Sequence, residues 1–113
     1  MKHGELVILH LINPTEKFWG VLDELMGAGV ILRGINVNSF DDWMNQAARR
    51  EPLDLGLVTM FVPLFRVERI FIDEQVGEVE SYRQRFRRRV GVSIEDYLGL
   101  IDAADASSAE IPS

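Results

Sequence analysis

The stretch TEKFWGVLDELMGAG, residues 15–29, decides the fold, because its pattern fits two different structures. The first is a helix that begins after Pro14, carries Glu16 in its first turn and ends at Gly27 and Gly29. One face of this helix would be apolar, formed by Phe18, Leu22 and Leu25. A helix here would alternate with strands, which predicts an α/β two-layer sandwich.

The second structure is a β-hairpin. In it, residues 17–24 form a strand, residues 26–29 form the turn and residues 30–37 form the return strand. Gly20 would cost a helix interior about 1 kcal/mol relative to Ala, whereas a glycine within a barrel strand permits a sharp bend. The apolar spacing favours the helix slightly, so the residues alone leave both interpretations open.

The segments on either side of this stretch predict a strand and a helix. Residues 6–12 are short and apolar and stop just before Pro14, which indicates a buried strand. Residues 39–50 predict a helix, because Ser39 followed by Asp42 matches a capping box and two arginines close the last turn. In a β-rich fold this helix is an insertion between strands.

The second half of the chain predicts two strands and then two helices. Residues 55–62 and 67–72 are apolar and indicate strands, and a tight turn follows Pro63 between them. Within residues 79–101, apolar side chains recur at intervals of three and four, which indicates helices. Gly91 divides this region into two C-terminal helices.

The composition is typical of one folded domain. Of the 113 residues, 47% are hydrophobic and 27% are charged, which is the profile of a globular protein. We expect a single domain over residues 1–101 and a disordered tail over residues 102–113, because the tail is small, acidic and serine-rich. The absence of cysteine excludes disulfides, thiolate metal sites and cysteine nucleophiles.

The net charge and the hydropathy of the sequence limit the classes of binding partner that we expect. The formal net charge of −6 argues against a general binder of nucleic acid or of anionic membranes. The apolar run at residues 6–12 does not match a signal peptide, and no stretch reaches the roughly 18 apolar residues of a membrane span. We therefore expect a cytoplasmic protein without membrane contact.

Two stretches carry a resemblance to a known class of fold. Residues 17–22, followed by residues 29–34, resemble the strand–turn–strand of Sm-like and SH3-like small barrels, where a glycine lies in the bent second strand. Residues 62–70 are similar to the last strand pair of those barrels, which a very short turn joins. The resemblance implies a five-stranded barrel whose exposed strand edges pair between subunits, as a ring or a dimer.

Two features depart from those barrels. Residues 38–54 would be a helical insertion, and the polar RNA-contacting signatures of Sm proteins are not evident. We therefore predict an α+β fold that is mainly β, a small five-stranded Sm/SH3-like barrel with a helical insertion at residues 39–50 and two C-terminal helices within residues 79–101. The alternative is the α/β two-layer sandwich with residues 15–29 helical.

Arginines are the most conspicuous candidate binding residues. Five of them lie within residues 83–89, where they could face a phosphate backbone or an acidic partner. A structural explanation is favoured, because glutamates open that helix and arginines close it, which suits the helix macrodipole. Arg66 and Arg69 form a second candidate, for which an ordinary solvated strand face is the favoured explanation. The five are Arg83, Arg85, Arg87, Arg88 and Arg89.

No sequence pattern indicates a catalytic site or a metal site. His3 and His10 are the only histidines, and a zinc site would need both with a carboxylate such as Glu5, at a spacing that matches no metal motif. The paired carboxylates at residues 41–42 and 73–74 have no nucleophile or base at a telling interval. We predict no catalytic residue, no metal and no cofactor, and hence a protein that is not an enzyme.

The aromatic residues suggest contact with other proteins. They outnumber what so small a core readily encloses, and Trp43 beside Met44 on the inserted helix is the candidate protein interface. Equally, Trp43 could hold that helix onto the barrel. We predict a non-enzymatic interaction and assembly module that self-associates as a homo-oligomer and binds a protein partner. The alternative is an Sm-like RNA-binding protein.

Overall fold

Strands dominate the described part of the chain. The structure is a computed structural model that describes residues 1–50 and 56–99. Residues 51–55 and 100–113, which hold a predicted loop, the end of the last predicted helix and the predicted tail, lie outside the described residues. The strands are β1 Leu6–Leu11, β2 Glu16–Leu25, β3 Gly29–Asn36, β4 Val58–Pro63 and β5 Val67–Ile72. The helices are α1 Phe40–Arg49 and α2 Tyr82–Val90, with 3₁₀ turns at Val37–Ser39 and Leu64–Arg66.

The strands form one antiparallel sheet in the order β4-β3-β2-β1-β5. The prediction of an α+β fold that is mainly β is confirmed. Residues 15–29 belong to the hairpin of β2 and β3, so the alternative in which they form a helix is wrong. Met26 and Gly29 exchange backbone hydrogen bonds of 2.9 and 3.3 Å across the hairpin turn.

The sheet is open, because β4 and β5 lie at opposite edges and are not paired with each other. Strand pairing therefore does not close the barrel that the sequence predicted. Four strand spacings would separate the edges of a flat sheet by about 19 Å. The four residue steps from Pro63 to Val67 reach at most about 14 Å. The sheet must therefore curve strongly to bring the two edges within reach of the 3₁₀ turn that joins them.

Backbone hydrogen bonds hold that turn at the mouth of the curved sheet. The Leu64 amide donates to the carbonyl of Ala28 in the β2–β3 turn at 3.0 Å. The Ile12 amide, at the end of β1, donates to the carbonyl of Arg66 at 2.8 Å. The turn between β4 and β5 is thus fixed to two other connections of the sheet, and the positions of both edge strands follow from it.

Both faces of the sheet are apolar. One face, here the helix-side face, packs against α1 and α2 and contributes Leu6, Trp19 and Ile35 to a core. The opposite face, here the inner face, forms a second core from β1 to β4. Within the described residues no helix belongs to this second core, so the curved strands cover it themselves. Its buried members are Val7, Leu9, Leu11, Leu22, Val30, Leu32 and Val62.

A pair of glycines allows the two central strands to approach closely. Gly20 of β2 lies opposite Gly34 of β3. A Cβ atom on Gly20 would lie 2.4 Å from the Arg33 carbonyl oxygen and 2.6 Å from the Cα of Gly34. A Cβ atom on Gly34 would lie 2.4 Å from the Trp19 carbonyl oxygen. Only glycine fits at these two positions, since the obstructing atoms belong to the backbone.

We expect Gly20→Ala to destabilise the domain by about 1–3 kcal/mol or more, because the added methyl group forces β2 and β3 apart. The free energy of unfolding in urea measures this effect. Gly27→Ala is the matched control, since a Cβ there meets nothing within 4 Å. Its expected effect is within about 0.5 kcal/mol. Equal stability of the two variants would show that the close approach is not required.

Helix α1 begins differently from the prediction. Ser39 occupies the N-cap but makes no side-chain capping hydrogen bond. The reason is the 3₁₀ turn before it, which gives Ser39 φ −101° and ψ −3° in place of the extended backbone of a capping residue. Asn36 caps that turn instead, with its side chain accepting from the Asn38 amide at 2.9 Å. The predicted capping box at Ser39 is therefore wrong.

The C-terminal helices begin at serine caps. Helix α2 starts at Tyr82 and not at residue 79, because Ser81 and Gln84 form a reciprocal capping box. Val79, predicted to lie in the helix, forms an isolated bridge with Val76. Ser93 Oγ accepts from the Asp96 amide at 3.1 Å, and residues 94–99 are helical.

Asp73 attaches α2 to the sheet. This carboxylate is 2% exposed and lies just beyond β5. It accepts hydrogen bonds from the Trp19 indole nitrogen at 3.1 Å and from the backbone amides of Tyr82 and Arg83 at 2.9 Å each. The negative charge lies at the first turn of α2, where the helix dipole favours it. One side chain thereby joins β2, β5 and α2.

Candidate interaction surfaces

The arginines of α2 are mostly engaged within the protein. Arg83 pairs with Glu95 and Arg88 pairs with Glu80. Arg88 holds the pKa of the Glu80 carboxyl below its usual range, mainly through this hydrogen bond. The predicted charge order is found at the end of α2, where three arginines lie in the last turn, but no glutamate lies in its first turn, because the helix begins at Tyr82, after Glu80.

The helix α1 supplies the partners of two more arginines. Arg85 pairs with Asp41 at 3.0 Å, and its guanidinium lies 5.0 Å from the ring centroid of Tyr82. Arg89 Nε donates to Asn45 Oδ1 at 3.2 Å. These arginines hold α2 against α1. Arg87, the remaining member of the cluster, is exposed in the last turn of α2.

Arg66 serves the connections between strands. Its Nε donates to the Ile12 carbonyl at 3.1 Å, and its Nη2 donates to the Pro14 carbonyl at 2.7 Å and to Glu16 Oε1 at 2.9 Å. The Arg66 side chain is 23% exposed. With its guanidinium directed into these contacts, Arg66 fastens the β1–β2 connection to the β4–β5 turn.

The predicted protein interface at Trp43 and Met44 is wrong. Trp43 is 1% exposed and Met44 is 8% exposed, and both belong to the core on the helix side. Trp43 packs against Trp19 with ring centroids 5.7 Å apart and against Phe86 with centroids 5.2 Å apart. Both residues are buried because α1 and α2 pack together over the sheet and enclose this face of α1. The alternative explanation, that Trp43 holds the inserted helix to the sheet, is what the structure has.

The exposed phenylalanines lie instead along the edge strands and the turn between them. Phe61 of β4 is 51% exposed and Phe71 of β5 is 42% exposed. In the connecting turn, Phe65 is 81% exposed. Val58 and Leu64 are also exposed. The surplus of aromatic residues that the sequence indicated is therefore found on the outer edges.

Three basic side chains form a row across adjacent strands, which we call the basic row: Lys17, His10 and Arg69. His10 of β1 lies opposite Lys17 of β2 and opposite Arg69 of β5. Successive side chains of a strand point to opposite faces of the sheet. Lys17 therefore shares the helix-side face with Trp19 of β2, and His10 shares it with Leu6 of β1. Arg69 lies on the same face, because it is opposite His10. The His10 ring makes an edge contact with Phe71 at 4.8 Å between centroids, and the Arg69 guanidinium lies 6.0 Å from that ring.

The basic row changes the acid–base behaviour of His10. Its pKa lies below the usual range, first because of burial and then because of the charges on Lys17 and Arg69, while Glu68 acts in the opposite direction. The unfolded chain binds this proton near pH 6.5. Below that pH the unfolded state binds more protons than the folded state, so the folded state loses stability.

We therefore expect the free energy of unfolding to fall as the pH is lowered through about 6.5, and to fall less in His10→Gln, which removes this proton. Urea unfolding at about pH 7.5 and about pH 5.5 measures the difference. His3→Gln controls for the other histidine. An unchanged pH dependence in His10→Gln would contradict the assignment.

Several shallow hollows mark the surface. A hollow of about 320 Å³ is lined by His3, Val21, Asp23, Arg33 and Thr59. The imidazole of His3 lies 3.3 Å from Asp23 Oδ1, with both side chains more than half exposed. In residues 1–50 and 56–99, no group of three or more histidine, aspartate or glutamate side chains is placed to hold a metal ion.

Comparison with known proteins yields no relative. No family model, no curated protein and no solved structure matches the chain. Among the described helices, none has the length and apolar character required to cross a membrane. The edge strands and the basic row are the features that sequence analysis missed or described incompletely. Both depend on strand pairing between residues far apart in the chain.

Proposed function

We propose that this domain is a non-enzymatic assembly module that self-associates through the edges of its sheet, β4 of one copy pairing with β5 of the next. The observation that carries the proposal is that, among residues 1–50 and 56–99, β4 and β5 each pair with another strand on one side alone, over six residues each, and expose aromatic side chains. Unpaired edges are templates for a further strand, and monomeric proteins usually protect them with charge, proline or bulges.

Strand β4 lacks such protection. Its sequence VTMFVP contains no charged residue, and its one proline is the last residue of the strand. Phe61 and Val58 are exposed along it. An edge strand of this kind is a hazard for a protein that works as a monomer. Its presence is explained if another strand covers it.

The two edges match each other face by face. On the inner face, β4 presents Met60 and Val62, and β5 presents Ile70 and Ile72, all associated with the second core. On the helix-side face, β4 presents Phe61 and β5 presents Phe71, as alternation along the paired strands requires. Pairing β4 with β5 of another copy would therefore continue both faces. The partner that fits is a second copy of this chain.

Because the two edges differ, each copy would use one edge as donor and the other as acceptor. Such heterologous contacts produce a ring when the rotation between copies closes and a filament when it does not. Phe65, the most exposed of the aromatic residues, lies in the turn between the two edges. We propose it as the contact for the additional protein partner that the sequence analysis predicted.

We expect Phe61→Lys and Phe71→Lys each to lower the association constant by about tenfold or more, because a lysine at the centre of an edge opposes strand pairing. Light-scattering mass on a sizing column, measured over a concentration series, records the effect. Val79→Lys is the matched control, since Val79 is 72% exposed and lies outside β4 and β5.

Mixing the two variants tests which edge meets which. Phe61→Lys keeps a competent β5 and Phe71→Lys keeps a competent β4, so an equimolar mixture is expected to form dimers and nothing larger. If β4 paired with β4, Phe71→Lys would still dimerise by itself. A wild-type protein that stays monomeric at all concentrations would contradict the proposal.

A further inference from the structure

The basic row is an arrangement that the fold does not need for its own stability. Lys17 and Arg69 each lie opposite His10, and their positive charges disfavour its protonation and do not stabilise it. The Lys17 side chain has no hydrogen bond or ion pair with any described residue, and Arg69 pairs with the adjacent Glu68 at 2.9 Å. Lys17 is exposed, and the Arg69 side chain is 57% exposed. This local positive charge lies on a protein whose formal net charge is −6.

Neutral polar groups and an aromatic ring flank the row. On one side, Lys17 borders a hollow of about 230 Å³ that Thr15, Asn36 and Asn38 also line, together with Glu16, whose carboxylate pairs with Arg66. These hydroxyl and amide groups can hydrogen-bond phosphate, sugar or base atoms. On the other side, Phe71 contacts His10 and is 42% exposed, so part of its ring is open to a stacking partner.

We propose that the basic row is a binding site for single-stranded nucleic acid, with Lys17 and Arg69 contacting phosphates and Phe71 stacking against a base. A positively charged track combined with exposed aromatic rings is the arrangement by which proteins bind single strands without reading their sequence. The open sheet face suits an extended polymer. An acidic polypeptide would satisfy the charges but would not use the exposed ring in the same way.

The proposed site keeps Arg69 from the second candidate of the sequence analysis and uses none of the arginines of α2. Arg66 and most arginines of α2 are engaged in contacts within the protein, whereas Arg69 joins Lys17 and His10. Lys17, the residue that the test changes, also lies away from the strand edges proposed for assembly. Lys17 lies in β2, and β2 is paired on both sides, with β1 and with β3.

The experiment measures the salt dependence of binding to a fluorescent oligouridylate of about 12 nucleotides, a length within the site sizes of single-strand binders. At neutral pH two cations contact phosphate, so the logarithm of the association constant is expected to fall with a slope of about −1.4 against the logarithm of salt. This corresponds to a loss of about sevenfold between about 50 and about 200 mM salt. Lys17→Gln is expected to reduce the slope by about 0.7.

Arg87→Gln is the matched control, because it removes one exposed cation of α2 and leaves the basic row intact. It is expected to leave the slope unchanged. A change with Arg87→Gln and none with Lys17→Gln would overturn the proposal, as would a lack of oligonucleotide binding at low salt. Polyglutamate that competes as well as the oligonucleotide would likewise overturn it, since the surface would then bind acidic chains in general.

A second readout reports on the site itself. Phosphate beside His10 is expected to raise the pKa of its imidazole, measured by NMR with and without oligonucleotide, and the increase is expected to be smaller in Lys17→Gln. The light-scattering mass of Lys17→Gln is expected to equal that of the wild type. A failed nucleic-acid site with intact assembly, and the reverse, are therefore distinguishable outcomes.

Discussion

The close approach of β2 and β3 at Gly20 and Gly34 is the constraint on which the rest of the structure depends. Side chains at these positions would collide with the opposing backbone at 2.4 Å. The lack of side chains there lets β2 and β3 lie close together. The curvature of the sheet allows its strands to bury the inner face themselves, while the other face packs against the helices. In a flat sheet one of the two apolar faces would be exposed to water.

Asp73 holds helix α2 in position against the sheet. It is buried, and a buried carboxylate is tolerated when hydrogen bonds satisfy it. The indole of Trp19 and the first amides of α2 supply these bonds. The consequence extends to the surface, because α2 held in this position brings Arg85 to Asp41 and Arg89 to Asn45 on α1. The arginine cluster therefore helps to join the two helices.

Local sequence determined part of the fold and none of the long-range pairing. For residues 15–29 the local pattern left a helix and a hairpin open, and the observed hairpin has Gly20 within the ten-residue strand β2. The capping box at Ser39 failed because a 3₁₀ turn precedes the helix and changes its backbone conformation. The burial of Trp43 depends on α2, whose contact with α1 no local pattern indicates.

The candidate surfaces, too, could not be predicted from local sequence. Exposed phenylalanines at the edges become evident only when β4 and β5 are known to be the outer strands. The basic row unites residues 10, 17 and 69 through two strand registers. Alternation placed His10 on one side of its strand, but periodicity within one strand carries no information about which residue of a distant strand lies opposite.

The pairing of β1 with β5 has a consequence for folding during synthesis on the ribosome. Strand β1 is synthesised before β5, its neighbour on one side, and Val7 lies opposite Ile72, 65 positions later. The helix-side core can be completed only later in synthesis, because it includes Phe86, Ile94 and Leu98. The nascent chain therefore cannot complete its fold until nearly the whole domain has been synthesised. During this interval the apolar β1 lacks one of its two neighbours, which makes it a segment for chaperones to shield.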